Sequence, residues 1–239
     1  MFLKNKITSI ALITASFFAG NTSAHDAWVH PTKGPVYPVY YGHRVYELFP
    51  ITKITSLDAY STDHRKLACE KMQDADGVSV KVSKGKPAMF CLAFDNGYWV
   101  KGAAEGGGTS HMNVGRGQLD QGTNPSHPLK FSKTILSWEP WMQQPIGQRV
   151  ELVPVAFTST PQGGSTLKLR LLYEGKPLAG QKVENNSSEE GPKTDADGYV
   201  TVEVEKGMNR FASDYTLPKS EDPKAERMSL TAALVFMVE

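Results

Sequence analysis

The sequence predicts a mostly β protein of two antiparallel β-sandwich-like modules, on three observations. Short alternations of Val, Ile, Tyr, Phe and Leu are separated by clusters of Gly, Pro, Asp and Asn, which is the signature of half-buried strands and their turns. No long segment sustains an apolar stripe of helical period. Pro140, Pro145 and Gly147, around Trp138 and Trp141, divide the strands into two series, as a junction between modules does. The 239 residues, 40% hydrophobic and 21% charged, can bury a real core, so a disordered tail, a collagen-like repeat and a cysteine-stapled miniprotein are excluded.

Taken in order, residues 1–24 place Lys4 and Lys6 before an apolar stretch from Ile7 to Gly20, followed by the small residues Thr22, Ser23 and Ala24. This is the pattern of a cleaved secretory signal peptide, with an apolar part too short to span a membrane. Residues 25–145 form the N-terminal β module. In it Val78 to Val82 alternates as a strand, Ser83 to Pro87 turns, and Ala88 to Phe94 resumes as the second arm of a hairpin. Gly102 to Pro128, rich in Gly, Ser and Asn and containing His111 and His127, is expected to be a long loop of functional character. Residues 146–239 form the second module. Its strands are expected at Leu167 to Tyr173, Gln181 to Val183 and Tyr199 to Val204, with Leu230 to Val238 closing the sandwich and Ser220 to Arg227 on the surface.

Charge and motifs narrow the function. The 26 Lys and Arg balance 25 Asp and Glu, which leaves no broad basic field for nucleic acid or anionic lipid. Nucleophile-elbow, phosphate-loop, zinc-protease and dinucleotide fingerprints are all absent from the sequence, so no catalytic residue is assigned and a non-enzymatic role is expected. The DADG segments at Asp74 and Asp195 lack the remaining EF-hand ligands and read as turns. Export implies an oxidising compartment, where the two cysteines, Cys69 and Cys91, are expected to form a disulfide contributing about 3 kcal/mol.

The histidines carry the chemistry. Cleavage after Ala24 makes His25 the first residue, so that its α-amine and imidazole together can grip one ion. His30, His43 and His127 are further nitrogen donors, and such donors suit nickel, cobalt, copper or zinc rather than calcium or magnesium. Glu47 stands four residues after His43. On a helix the two can share an ion; on a strand, which the aromatic and β-branched content favours, they are about 13 Å apart. Trp28, Tyr98, Trp99, Trp138 and Trp141 are the alternative: packing, or a platform for a noncatalytic carbohydrate- or protein-binding module of the cell envelope.

The stretches His25-Asp26-Ala27-Trp28, Tyr41-Gly42-His43 with Glu47, Phe94 to Trp99, Lys130-Phe131-Ser132-Lys133, and Gly175 to Gly180 running to Thr194 to Gly198 resemble the DUF4198 family, bacterial periplasmic proteins associated with nickel or cobalt uptake. The resemblance implies a periplasmic accessory protein that captures a divalent metal and passes it to an inner-membrane transporter. It carries His25 and His43, and His127 before the Lys130 to Lys133 segment, into the ligand set. The second half also resembles transthyretin-like or carboxypeptidase-regulatory-like β-sandwiches, a module that by itself says little about function.

Overall fold

The computed structural model describes residues 25–42, 46–103, 109–114, 124–186, 188 and 190–239, excluding the side chains of 101–103 and 109–114. The expected signal peptide and His43 therefore lie outside the described residues. In chain order the strands are β1 (Asp26–Val29), β2 (Val36–Gly42), β3 (Ile54–Ser61), β4 (Lys66–Leu67), β5 (Cys69–Asp74), β6 (Gly77–Val82), β7 (Pro87–Asp95), β8 (Tyr98–Ala103), β9 (Thr109–Val114), β10 (Ser126–Ile135), β11 (Val150–Val155), β12 (Thr166–Tyr173), β13 (Lys176–Pro177), β14 (Tyr199–Glu203), β15 (Gly207–Thr216) and β16 (Arg227–Val238). Short 3-10 turns over Ile51–Lys53 and Pro140–Gln143 are the helical elements among the described residues. None of the described helices is long and apolar enough to cross a membrane.

Three sheets stack as layers, which confirms the mostly β, sandwich-like architecture. The first has the order β1-β2-β6-β5; the central sheet runs β15-β16-β10-β7-β3-β4, with β8 on β10 and β9 on β8; the third holds β11-β12-β13, with β14 on β12. Strand alternation makes the central sheet two-faced. On β7, Phe90, Leu92 and Phe94 pack with Ala27, Val29, Val39, Tyr41, Val78 and Val80 of the first sheet. Met89 and Cys91 of the same strand pack on the other side, with Leu152, Leu169 and Leu171 of the third sheet. Each core is therefore a sandwich, and the central sheet belongs to both.

This layering corrects several expectations. β6 and β7 do not form a hairpin: β6 pairs with β2 and β5, and β7 with β3 and β10. The Val78, Val80 and Val82 face of β6 and the Phe90, Leu92 and Phe94 face of β7 meet in one core, so the chain crosses between layers instead of turning back in the same sheet. The supposed loop from Gly102 contains β9, which pairs with β8, and β10 begins at Ser126. Gln181 to Val183 supplies an isolated bridge, Lys182 to Lys193, rather than a strand. β16 lies parallel to β10 and antiparallel to β15, so strands from beyond residue 146 complete the central sheet.

The disulfide is also absent. Cys69 and Cys91 are free thiols. Cys69, on β5, packs against the core of the first sheet, whereas Cys91 points into the core on the opposite side of β7. The two thiols belong to different cores.

One ion pair crosses the second core. Lys133 of β10 meets Glu151 of β11 at 2.7 Å, with side chains 2% and 1% exposed. Glu151 also accepts hydrogen bonds from the backbone N–H groups of Ile146 and Gly147, which supplies the partners that a buried carboxylate requires.

Candidate functional site

Of the polar side chains singled out in the sequence, His25, Glu47 and His127 lie at one end of the first two layers, where β1 begins, β2 ends and β7 turns into β8. β1 and β2 pair antiparallel with Asp26 opposite Gly42 and Ala27 opposite Tyr41. Tyr46 bridges Gly42, and the Glu47 N–H donates to the Tyr41 carbonyl at 2.9 Å. That return lays Glu47 beside the residue preceding β1. His25 Nε2 and Glu47 Oε1 are 2.8 Å apart, with side chains 39% and 51% exposed. The His25 ring lies 5.4 Å from that of Tyr41, which is buried against Phe94 and Phe49. Burial pushes the Tyr41 phenol up to about 12, with the Glu47 and Asp26 charges adding to the effect.

The next residue anchors this corner. Asp26 is buried, and its carboxylate accepts from Arg210 of β15 at 2.7 Å, while the Arg210 guanidinium lies 5.5 Å from the centre of the Trp28 ring. Burial raises the Asp26 carboxyl to about 6 against the pull of Arg210 and Lys130. The start of β1 is thus tied across the molecule to β15, and His25 is presented from a fixed strand.

Lys53 lies on the inner side of the same corner. Its Nζ donates to the Asn96 carbonyl at 3.2 Å and to Asn96 Oδ1 at 3.3 Å, and it stands 5.6 Å from the Tyr41 ring centre and 5.7 Å from that of Phe94. Burial lowers the ammonium pKa, while the carboxylates of Asp95 and Glu47 hold it up.

Beyond Asn96, His127 is clamped between two acids. Its Nε2 is 2.7 Å from Asp95 Oδ1 and its Nδ1 is 2.9 Å from Asp222 Oδ2. The Tyr98 hydroxyl donates to Asp222, and the Tyr98 ring stacks on the imidazole at 4.6 Å. Burial pulls the imidazole pKa down, but the hydrogen bond and charge of Asp95 and the charge of Asp222 outweigh it, so the net shift is upward. Burial likewise works to raise Asp222, and the Tyr98 hydroxyl, the Lys224 N–H and His127 overcome it, so its carboxyl is held below the ordinary value.

Of the residues expected at one ion, the structure brings His25 and Glu47 together. His43 lies outside the described residues; it directly follows Gly42, the ladder partner of Asp26. His30 is five residues from His25 along the extended β1 segment, roughly 16 Å at about 3.3 Å per residue. It packs on Tyr40 at 4.6 Å, and burial lowers its pKa. His127 belongs to the second cluster and turns both nitrogens toward carboxylates. Among the described residues no three His, Cys, Asp or Glu side chains converge as a metal cage. Lys53, Asp95 and Asp222 were not singled out from the sequence. The Phe94 to Trp99 stretch pointed toward Asp95, but nothing local marks Asp222, which reaches His127 from 95 residues away.

Comparison with known proteins gives two findings. A family described as a domain of unknown function, DUF4198, matches residues 22–216. An uncharacterized protein of Haemophilus influenzae is 26% identical over 227 residues, covering 94% of this chain and 95% of the relative. The family match takes in His25, Glu47, Lys53 and the Asp95–His127 contact and ends at the close of β15. The chain belongs to the DUF4198 family.

Proposed function

We propose that this is a periplasmic transition-metal-binding accessory protein of nickel or cobalt uptake, exported by cleavage after Ala24 and delivering its ion to an inner-membrane transporter. The observation supporting the reading is the His25–Glu47 pair. Two ligand atoms about 2.0–2.1 Å from one ion and at right angles around it stand about 2.9 Å apart, and the observed separation is 2.8 Å. To hold an ion, the two groups give up this hydrogen bond and turn their lone pairs from each other onto the ion. Both side chains are partly exposed, so the ion has a path in. After cleavage the α-amine of His25 adds a second nitrogen from the same residue, and His43, next to Gly42 in the sequence, is the candidate for a further one. Two to four donors suit a cargo ion that must leave again.

The aromatic side chains favour this reading over a sugar platform. Trp28 is fully buried, Trp138 meets Phe157 and Phe236 edge-on, and Trp141 stacks on His64 at 4.2 Å. Calorimetry with Ni²⁺, Co²⁺, Cu²⁺ and Zn²⁺ on chain beginning at His25, at several pH values, tests the proposal. One ion per chain is expected, with binding that weakens as pH falls and the nitrogen ligands take up protons. No binding of any of these ions, together with a positive glycan screen in the presence of a chelator, would replace it with the carbohydrate-binding reading.

A further inference from the structure

At the end of the layers opposite His25, where β2 and β7 begin and β6, β10 and β16 end, the sheets part around a cleft of about 880 Å³. β2 starts six residues before Gly42, roughly 20 Å at about 3.3 Å per residue, so the cleft is separate from the His25 corner. Tyr37, Val82, Ile135, Trp138 and Val238 give it an apolar lining. Beside them Met237 is 46% exposed, although Phe236 and Val238 on either side of it are buried. A volume and lining of this kind belong to a small-molecule site, and Pro31, Pro35 and Pro87 stiffen the turns around it. The charged side chains that line the cleft are Lys33, Lys86 and Glu239. Lys33 stands on the turn between β1 and β2 and Lys86 on the turn between β6 and β7, both exposed. Neither has an ion-pair partner among the described residues. Two ammonium groups and one carboxylate around an apolar cleft suit a ligand with an apolar body and a negative head.

We propose that this cleft binds a single-chain alkyl acid, with the chain against the apolar lining and the carboxylate drawn to Lys33 and Lys86. This site stands independently of the metal-binding reading. The chain supplies affinity by leaving water, so each methylene buried in the cleft adds to it. The head supplies selectivity, since exposed ammonium groups attract an anion and disfavour a cation of the same chain length. Glu239 works against the same head by like-charge repulsion.

The test is calorimetry, below the micelle-forming concentration, with octanoate, decanoate, dodecanoate, decyl maltoside and decyltrimethylammonium on chain beginning at His25. The expected result is one alkyl acid per chain, with affinity rising about fourfold for each added methylene and the decyl cation binding more weakly than decanoate. Lys33→Gln combined with Lys86→Gln should weaken decanoate about threefold to tenfold, the scale of two exposed charge pairs, without weakening decyl maltoside. Glu239→Gln should tighten decanoate, which a variant that merely misfolds would not do. Absence of saturable decanoate binding, equal affinity for decanoate and the decyl cation, or a double variant that weakens decyl maltoside as much as decanoate overturns the proposal. Capture of the chain by phosphatidylglycerol vesicles without binding of free decanoate overturns it too, in favour of a membrane surface. Each of these outcomes leaves the metal-binding reading in place.

Discussion

Replacing Glu47 with Gln separates a metal ligand from an ordinary surface ion pair. Gln preserves the size of the side chain and its hydrogen-bonding oxygen but removes the negative charge. The partner side chains are 39% and 51% exposed, so as an ion pair the contact contributes no more than about 1 kcal/mol to folding. For a chain of this size that corresponds to a fall in melting temperature of about 2–4 °C. As a metal ligand the same carboxylate supplies a protein donor and a negative charge directly at the ion. Even groups that only support metal ligands change affinity by about tenfold to a hundredfold, so Glu47→Gln should weaken Ni²⁺ or Co²⁺ at least that much, about 1.4–2.7 kcal/mol. Thermal unfolding of the metal-free protein and calorimetry on the same samples give both numbers. The predicted outcome is a small change in stability beside a large change in affinity. Unchanged metal affinity, or a collapse of the metal-free protein, would refute the assignment of Glu47 to the ion.

Three other outcomes follow from the geometry. The His127 imidazole is held above its unperturbed 6.5, so its contribution to stability is complete below about that pH and is lost as pH rises through the folded-state value; denaturant titrations should show this alkaline loss in the parent and a flatter profile in His127→Gln. Lys133→Met leaves Glu151 charged and unpaired in the second core and should cost about 3–5 kcal/mol, whereas Lys133→Met with Glu151→Leu should recover most of it; urea unfolding measures both. Thiol titration without reductant should find two reactive cysteines in the denatured chain. In the native chain Cys69 should react well before Cys91, which is 6% exposed and has its thiol pKa pushed up to about 12 by burial.

Local patterns were readable wherever one strand sufficed. Val78 to Val82, Ala88 to Phe94 and Leu167 to Tyr173 declare themselves by alternation, and all three lie within observed strands. Partner choice was not readable. The turn between β6 and β7 looks like a hairpin because strand patterns flank it, yet the two strands belong to different sheets that face one core from opposite sides. That Cys69 and Cys91 stay unpaired is hidden for the same reason as partner choice: sequence spacing carries no information about which face of a sheet a thiol occupies. At the candidate site, His25 was marked by its position after the expected cleavage point. Its partner Glu47 stands four residues after His43 in the sequence, and spacing shows only neighbours along the chain. The antiparallel return after β2 instead gives it to a residue 22 positions earlier. Lys53, Asp95 and Asp222 are unremarkable charges in the sequence, and become notable only when the 3-10 turn, the β7–β8 turn and the segment after β15 meet.

The most direct measurement of the central claim is the intact mass and metal affinity of protein recovered from the periplasm, compared with the same chain carrying one extra Gly before His25. The account predicts a mature chain beginning at His25, one tightly held nickel or cobalt ion, and a sharp loss of affinity when the added residue removes the α-amine from the imidazole-bearing residue. A mature chain beginning elsewhere, or equal affinity with the added Gly, would contradict it.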